Sequence, residues 1–342
     1  MRRIVILTNS LSGGGAETSA HILQRELIVN GLEVTFIGIN SENPFAVPKT
    51  PNVFSLERAK SKPISSTVSN LISFRKFLVT HRIDTLIVNC ELPELFAIVS
   101  PRSIKLVIVE HANPSWLKRV LLGWVVRRTL ARRKPLLVTV GQHLRPRFLK
   151  SLSYTHIPNP LNSIPRKDVV PIVSSIKRLV YIGRLSPLFK NPLVVLMVAE
   201  KVNLPVLMIG DGALMNKLQS YAIDHQIDCR FTGFQANPWE LIERGDLLII
   251  PSTAEGDGLI LIEAVQRKVP FLASNIPDLN RYGISASNYC SDLHSFIDSI
   301  NVFRHRLNEL MVSDSISKKI LEDRRPDKIA DMWIKLLSSS TQ

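Results

Sequence analysis

Short apolar, β-rich runs recur along this chain, each followed by a polar or glycine-bearing loop and then by a helical pattern. That alternation is what most limits the folds open to it. Arg2-Arg-Ile-Val-Ile-Leu7 leads into Asn9-Ser-Leu-Ser-Gly-Gly-Gly15, a helical pattern runs from Ala16 to about Val29, and Leu32-Glu-Val-Thr-Phe-Ile-Gly-Ile39 reads as a second strand. Strand–loop–helix–strand is the opening of a parallel, doubly wound α/β sheet. Further strands are expected at Thr85–Asn89, Lys105–Glu110 and Leu136–Val140, with helical stretches between them.

The alternation then restarts. Ile157-Pro-Asn-Pro160 and Ile164-Pro165 break regular structure, and residues 160–176 lack a clear period. Beyond them strands are expected at Leu179–Ile182, Val206–Ile209, Cys229–Thr232, Leu247–Ile250 and Pro270–Ala273. Helices are expected at Asn191–Val202, Ala213–His225, Pro238–Arg244 and Leu259–Arg267. A chain of 342 residues, 45% hydrophobic, can build two such cores. The expectation is two Rossmann-like lobes with a cleft between them: an amino-terminal domain over 1–162, a carboxy-terminal domain over 176–325, and a last helix over 326–342 that turns back toward the first domain. Ile329, Met332, Trp333 and Leu336 would form one face of that helix.

One loop carries most of the chemistry. Pro251-Ser-Thr-Ala-Glu-Gly-Asp-Gly-Leu-Ile-Leu-Ile-Glu-Ala264 directly follows the apolar run Leu247-Leu-Ile-Ile250, and sets Glu255 and Glu263 eight residues apart. In a parallel sheet, ligands bind at the carboxyl ends of strands. Glycines let backbone approach a ligand, and a new helix offers its first N–H groups to anions. Carboxylates beside such amides suit a ligand with both hydroxyls and phosphate, as a nucleotide-sugar has. The alternative is a helix-capping carboxylate beside a surface glutamate. Gly13-Gly14-Gly15 can likewise surround a phosphate or sugar oxygen, although the G-x-G-x-x-G spacing of dinucleotide sites is absent.

Gly13-Gly-Gly-Ala-Glu17, Gly183-Arg-Leu-Ser186 with Lys190, Gly210-Asp-Gly212 and the Glu255…Glu263 loop follow one another in an order that resembles the family-4 retaining glycosyltransferases of the GT-B fold. The resemblance spans most of the chain and is strongest from Leu179 to Pro277. It implies transfer of a sugar from a nucleoside diphosphate to a hydroxyl with retained anomeric configuration. Arg184 and Lys190 would stabilise the departing diphosphate. Glu263 would accept from the ribose hydroxyls, and Glu255 and His111 would orient the donor sugar. Gly14, Gly15, Gly256, Asp257, Gly258 and Leu259 would complete the donor contacts. Asp257 stands where the family often has an apolar or aromatic residue, and Pro160 follows Asn159 where glycine is usual, so Asn159 is read first as hinge structure. Glu91 and Glu110 are further acceptor-side candidates.

The donor is expected to be a UDP-sugar, with a GDP-sugar as the alternative. No cofactor and no metal are expected, since no D-x-D pair appears. The formal charge of +14 is uneven: residues 1–162 hold 22 Lys/Arg against 9 Asp/Glu, a surplus of 13. Within them, Ser115 to Lys134 has seven basic residues, two tryptophans and no acid, which points to an anionic membrane surface or a lipid-linked glycan acceptor. At 100° per residue, those charges are spread around a helix rather than gathered on one face. Nucleic acid is not expected as a partner, for no recognised binding pattern occurs. No apolar run is long enough to span a bilayer, and Cys90, Cys229 and Cys290 form no disulfide or metal pattern. A cytoplasmic enzyme of lipopolysaccharide or polysaccharide synthesis, peripheral on the inner face of the membrane, fits these features. A nucleotide-sugar epimerase of the same fold and a non-catalytic glycan- or lipid-binding protein remain as rivals.

Overall fold

A computed structural model describes residues 2–11, 14–40, 52–59, 63–111, 115–149, 151–162, 164 and 173–339. Gly13, Ala112-Asn113-Pro114 and much of the 160–176 segment lie outside the described residues. The chain divides into two compact units, residues 1–162 with 324–342, and residues 163–323.

The first unit is built on seven parallel strands: β1 (Arg3–Thr8), β2 (Glu33–Asn40), β3 (Val53–Arg58), β4 (Thr85–Asn89), β5 (Lys105–Glu110), β6 (Leu136–Thr139) and β7 (Tyr154–His156), ordered β3-β2-β1-β4-β5-β6-β7. Side chains alternate across it, as the period of two in a strand requires. Val5, Leu7, Ile37, Ile39, Leu86, Val88, Leu106 and Ile108 form one buried face. Ile4, Ile6, Val34, Phe36, Ile87, Val107 and Val109 form the other. The first face packs under α2 (Pro63–Thr80), α3 (Glu91–Ala97) and α4 (Val120–Ala131) through Phe74, Phe96 and Val126. The second packs under α1 (Gly15–Val29) and the C-terminal helix Pro326–Ser338 through Leu23, Leu27, Ile329 and Trp333. Each such buried side chain contributes about 1.5–3 kcal/mol.

The second unit has six parallel strands: β8 (Arg178–Ile182), β9 (Val206–Ile209), β10 (Cys229–Gly233), β11 (Asp246–Ile250), β12 (Phe271–Ser274) and β13 (Tyr289–Cys290), ordered β10-β9-β8-β11-β12-β13. Leu179, Tyr181, Val206, Met208, Leu247 and Ile249 meet α5 (Leu193–Val202), α6 (Met215–Asp224) and α9 (Leu293–Phe303) in one core. α7 (Leu259–Arg267), the short α8 (Pro277–Asn280) and α10 (Asp314–Glu322) complete the unit. In both sheets the strand order reverses once, between β1 and β4 and between β8 and β11.

The strands that sequence reading missed, β3, β7 and β13, all lie at sheet edges. They lack the continuous apolar run of a strand buried on both faces; Phe54 in β3 is half exposed. The helix expected over Pro238–Arg244 is a short 3-10 turn, Pro238–Leu241.

A buried charge cluster joins three elements of the first unit. Arg127 in α4 is 1% exposed, and its Nη2 lies 2.5 Å from Glu94 Oε1 and 2.8 Å from Glu110 Oε2. Arg127 Nε and the Trp116 indole N–H both donate to Glu94 Oε2, at 2.8 and 2.9 Å. Two carboxylates thus share one guanidinium. Burial, opposed by Arg127 and reinforced by Glu94, pushes the Glu110 carboxyl from 4.5 up to about 7.

In the second unit, two glycines let the β8 and β9 loops touch. A Cβ on Gly210 (φ 140) would stand 1.9 Å from the Gly183 carbonyl oxygen, and one on Gly212 (φ 155) would stand 2.3 Å from that of Leu185. Leu185 N–H donates to Asp211 O at 2.9 Å and Gly183 N–H to Ile209 O at 3.0 Å, closing this backbone seam.

Gly210→Ala is therefore expected to cost about 3 kcal/mol or more, a Tm fall on the order of 10 °C in differential scanning calorimetry. The Glu110 proton gives a pH signature of definite sign. Between about pH 4.5 and 7 the folded state holds a proton that the unfolded state has lost, so stability falls as pH rises through that window, by up to ~3 kcal/mol. Glu110→Gln abolishes this slope. Its Tm relative to the wild type is expected to climb from pH 5 to pH 8; a constant difference would mean that Glu110 is ionised throughout.

Candidate active site

Ligands of open α/β sheets settle outside the carboxyl ends of the strands where the strand order reverses. In the second unit that point lies between β8 and β11, and the loops leaving those two strands carry Arg184, Lys190 and Glu255. Thr253 N–H donates to Phe189 O at 2.7 Å and fastens the two loops together. Phe189 (φ 66) and Asn191 (φ 45) flank Lys190, both in the left-handed region. Such backbone costs on the order of 1–3 kcal/mol per residue and persists only where the surroundings enforce it. Here it aims the lysine at the neighbouring loop.

Lys190 Nζ donates to Glu255 Oε1 at 2.7 Å, and Ser252 Oγ donates to the same oxygen at 2.7 Å. The lysine side chain is 33% exposed and the glutamate 9%, so the ammonium stays open to solvent while the carboxylate beneath it is held. Glu255 N–H in turn donates to Asp278 Oδ2 at 2.7 Å, on α8 after β12. Arg184 is exposed, and among the described residues its guanidinium has no side-chain partner. Its backbone is fixed instead, because the Tyr181 hydroxyl donates to Arg184 O at 3.0 Å. Burial and the nearby Glu255 charge push the Tyr181 phenol up, so it remains a donor at neutral pH. The result is an open guanidinium and a half-open ammonium six residues apart on one loop, the first with its backbone fixed and the second with its side chain held by Glu255.

The helix after the loop is α7. Gly258 caps it in a left-handed conformation (φ 67), and Leu259 and Ile260 begin it with no intrahelical acceptor for their N–H groups. Gly256 is partly buried in the turn before them. Glu263, one turn into α7, is partly buried and accepts the Trp239 indole N–H on Oε2 at 2.7 Å. Arg267 lies 4.6 Å from the Trp239 ring centroid. Burial pushes the Glu263 carboxyl above its ordinary value, with the Trp239 N–H and the Arg267 charge pulling it back. A carboxylate oriented through one oxygen keeps acceptor capacity on the other.

Asp257 does something the sequence did not show. Its carboxylate is buried, 2.7 Å from Arg281 Nη2, and its carbonyl accepts from Arg281 Nη2 at 3.2 Å and from the Tyr282 hydroxyl at 2.6 Å. The side chain expected among the donor contacts thus also braces its own loop. Ser252, Asp278, Trp239 and Arg281 were absent from the sequence reading. Only Ser252 lies within the loop that drew attention; Trp239 arrives from the segment after β10 and Asp278 and Arg281 from that after β12, and none carries a local signal.

In the first unit the reversal lies between β1 and β4. Gly14 is the N-cap of α1, Gly15 begins it, and Glu17 is buried in its first turn, where an anion complements the helix dipole. His111 follows β5, its Nε2 3.2 Å from the Asn89 side-chain oxygen at the end of β4. An amide oxygen only accepts, so Nε2 carries the proton in this pair. Glu91 accepts the Trp116 backbone N–H, and Glu110 is part of the Arg127 cluster, so both expected acceptor-side carboxylates have structural partners. Asn159 O accepts from Arg324 Nη1 at 3.2 Å, which ties the end of the first stretch to the returning C-terminal segment. Among the described residues no group of three or more His, Cys, Asp or Glu could hold a metal ion.

Comparison with known proteins bears on the same two stretches. Residues 166–291 match the family described as glycosyl transferases group 1, and residues 13–163 match glycosyltransferase family 4. A Campylobacter jejuni enzyme named GalNAc-alpha-(1->4)-GalNAc-alpha-(1->3)-diNAcBac-PP-undecaprenol alpha-1,4-N-acetyl-D-galactosaminyltransferase is 24% identical over 99% of each chain. An Escherichia coli UDP-Gal:alpha-D-GlcNAc-diphosphoundecaprenol alpha-1,3-galactosyltransferase is 29% identical over 46% of this chain and 45% of its own. Among solved structures, Anabaena HepE in complex with UDP and glucose superposes with a TM-score of 0.76 at 15% identity, over 99% of this chain and 100% of that one. The fold is the GT-B fold of such enzymes. With adjoining stretches matched by two glycosyltransferase family models and one curated glycosyltransferase matching over the whole length, the chain belongs to the group 1, family-4 glycosyltransferases.

Proposed function

We propose that this glycosyltransferase moves a sugar from a UDP-sugar to a hydroxyl of a lipid-diphosphate-linked saccharide, with retention of anomeric configuration and without a metal ion. The observation that carries the proposal is the Lys190–Glu255 pair at the β8/β11 reversal, on the same post-β8 loop that carries the exposed Arg184. As a glycosidic bond opens, negative charge accumulates on the departing diphosphate. Preorganised cations lower that barrier, each such contact contributing about 10²–10³ in rate. Arg184 is suited to a two-pronged grip on phosphate oxygens, and Lys190, with three donors, can keep Glu255 while adding an oxygen of the leaving group. The N–H groups at the start of α7 add dipole and hydrogen bonds.

On this reading Glu263 grips the ribose, steadied by Trp239, and Glu255 holds Lys190 in place beside the sugar. In the first unit, Gly14 and Gly15 contact the donor and His111 orients sugar or acceptor. The departing diphosphate oxygen takes the acceptor proton on the face it leaves, so no separate carboxylate nucleophile is needed. The names of the Campylobacter and Escherichia relatives, both on undecaprenyl diphosphate carriers, support a lipid-linked acceptor. No helix among the described residues is long and apolar enough to cross a membrane, so access to such a carrier would be peripheral. The free thiols Cys90, Cys229 and Cys290 suit the reducing inner face of the membrane.

UDP is expected to raise the Tm in a thermal-shift series that also includes GDP, ADP and CMP; a larger shift with GDP would move the donor to a GDP-sugar. Donor alone, incubated without acceptor, should yield only slow hydrolysis, whereas accumulation of an epimeric nucleotide-sugar would establish the epimerase reading. Lys190→Ala should lower kcat about 100-fold or more with a Tm within a few degrees of wild type, because the pair it breaks is partly open to solvent. Unchanged turnover would remove Lys190 from the reaction. Glu263→Gln keeps the volume and an acceptor for Trp239 but loses the charge. It should weaken UDP binding about tenfold, close to the 1.4 kcal/mol of one charge-assisted hydrogen bond, and leave the unliganded Tm equal or higher.

A further inference from the structure

The outer face of α4 does not resemble the outer face of a water-exposed helix. Gly123, Val126, Arg127 and Leu130 point inward and are buried. Gly123 permits this packing, since a Cβ there would stand 2.4 Å from Trp116. The side turned to solvent carries Val120, Leu121, Leu122, Trp124 and Val125, and Leu117 stands in the turn just before the helix, all between 36% and 76% exposed. Scattered exposed apolar residues need no explanation, but a contiguous set on one helix does.

The basic residues of the segment sort into two groups. Arg127 is consumed by Glu94 and Glu110, and Arg133 donates to the carbonyls of Ala97, Pro101 and Ile104 at 2.9–3.1 Å. Lys118 and Arg119 at the start of the helix, and Arg128, Arg132 and Lys134 at its end, are exposed. The spread of charge around the helix, which by angle alone argued against a cationic face, is resolved by the two inward arginines finding buried partners. What is left is an apolar patch with a tryptophan, bracketed by cations, in a segment with no acid from Ser115 to Lys134. Arg128 lies 5.6 Å from the Trp124 ring centroid, as cations and indoles pair at interfaces.

We propose that the outer face of α4 docks this enzyme on an anionic lipid surface, with Leu121, Trp124 and Val125 entering the headgroup boundary and the flanking Lys and Arg side chains meeting lipid phosphates. Charge complementarity selects this occupant. A second copy of the chain on the same patch would set five cations against five, whereas an anionic bilayer neutralises all of them and receives the apolar residues. The assignment rests on the lipid-linked acceptor for its purpose, but the two are tested separately. Residues 115–134 include none of those assigned to donor binding.

The full-length chain is mixed with vesicles of phosphatidylglycerol and phosphatidylcholine, or of phosphatidylcholine alone, and sedimented at low and high salt. Partition to the anionic vesicles should be at least about tenfold higher and fall with salt. Trp124 fluorescence should shift to the blue on binding, and Trp124→Phe should remove the shift while retaining most of the binding. Leu121→Gln with Val125→Gln, and separately Arg128→Gln with Arg132→Gln, should each reduce binding about tenfold while the UDP thermal shift stays as in wild type. Absence of binding at low salt overturns the proposal, as does binding that neither pair of substitutions weakens. Concentration-dependent dimers that the Leu121/Val125 pair abolishes, without vesicle binding, would assign the face to a second copy instead. Loss of the UDP shift in the wild type would count against the donor reading and leave the lipid result standing.

Discussion

Parallel strands cannot be joined by a tight turn. Each must return through a crossover, so all the carboxyl ends of a sheet share one edge. The cluster at the β8/β11 reversal follows from that constraint. The loops after β8, β9, β11 and β12 are separated by tens of residues in sequence, yet they supply Arg184, Gly210, Glu255 and Asp278 to one edge of one sheet. The reversal of strand order between β8 and β11 then brings the loops leaving those two strands together at one place. Lys190 and Glu255 meet across that place at 2.7 Å.

Charges are treated in two ways in this molecule. At the β8/β11 reversal a cation is left open and its backbone is fixed, as with Arg184 under the Tyr181 hydroxyl. Where a cation serves only architecture, it is buried and over-supplied with acceptors, as with Arg127 between two glutamates. Breaking one partner of such a buried set costs far more than its net contribution, so the set behaves as a single unit. Arg127 also joins the inner face of α4 to Glu110, the residue before His111. The helix that presents an apolar face to the outside is thereby fastened to the strand end that presents a histidine.

The basic surplus of the first half, taken as a whole, says little about geometry. Once Arg127 and Arg133 are set aside as internal, the remaining cations of α4 bracket an apolar patch instead of surrounding the helix. A net charge is a property of composition, whereas a binding face depends on which charges are spent on the protein itself.

The sequence alone determined the architecture and pointed to candidate residues at the strand ends. Continuous apolar runs marked the inner strands because a strand buried on both faces admits little else, and Thr85–Asn89, Lys105–Glu110 and Val206–Ile209 emerged with the bounds read from the chain. Arg184, Lys190, Glu255 and Glu263 could be named because their loops directly follow such strands. Edge strands such as β3 and β13 were not legible, since half-exposed pairing leaves no apolar signature. Nor were the partners of the named groups, Asp278 and Trp239 from distant elements and Tyr181 from within β8, or the ion pair of Asp257 with Arg281. Those assignments required the tertiary structure, because a side chain's partner is set by which strand ends the crossovers bring together, and local sequence holds no record of that distance.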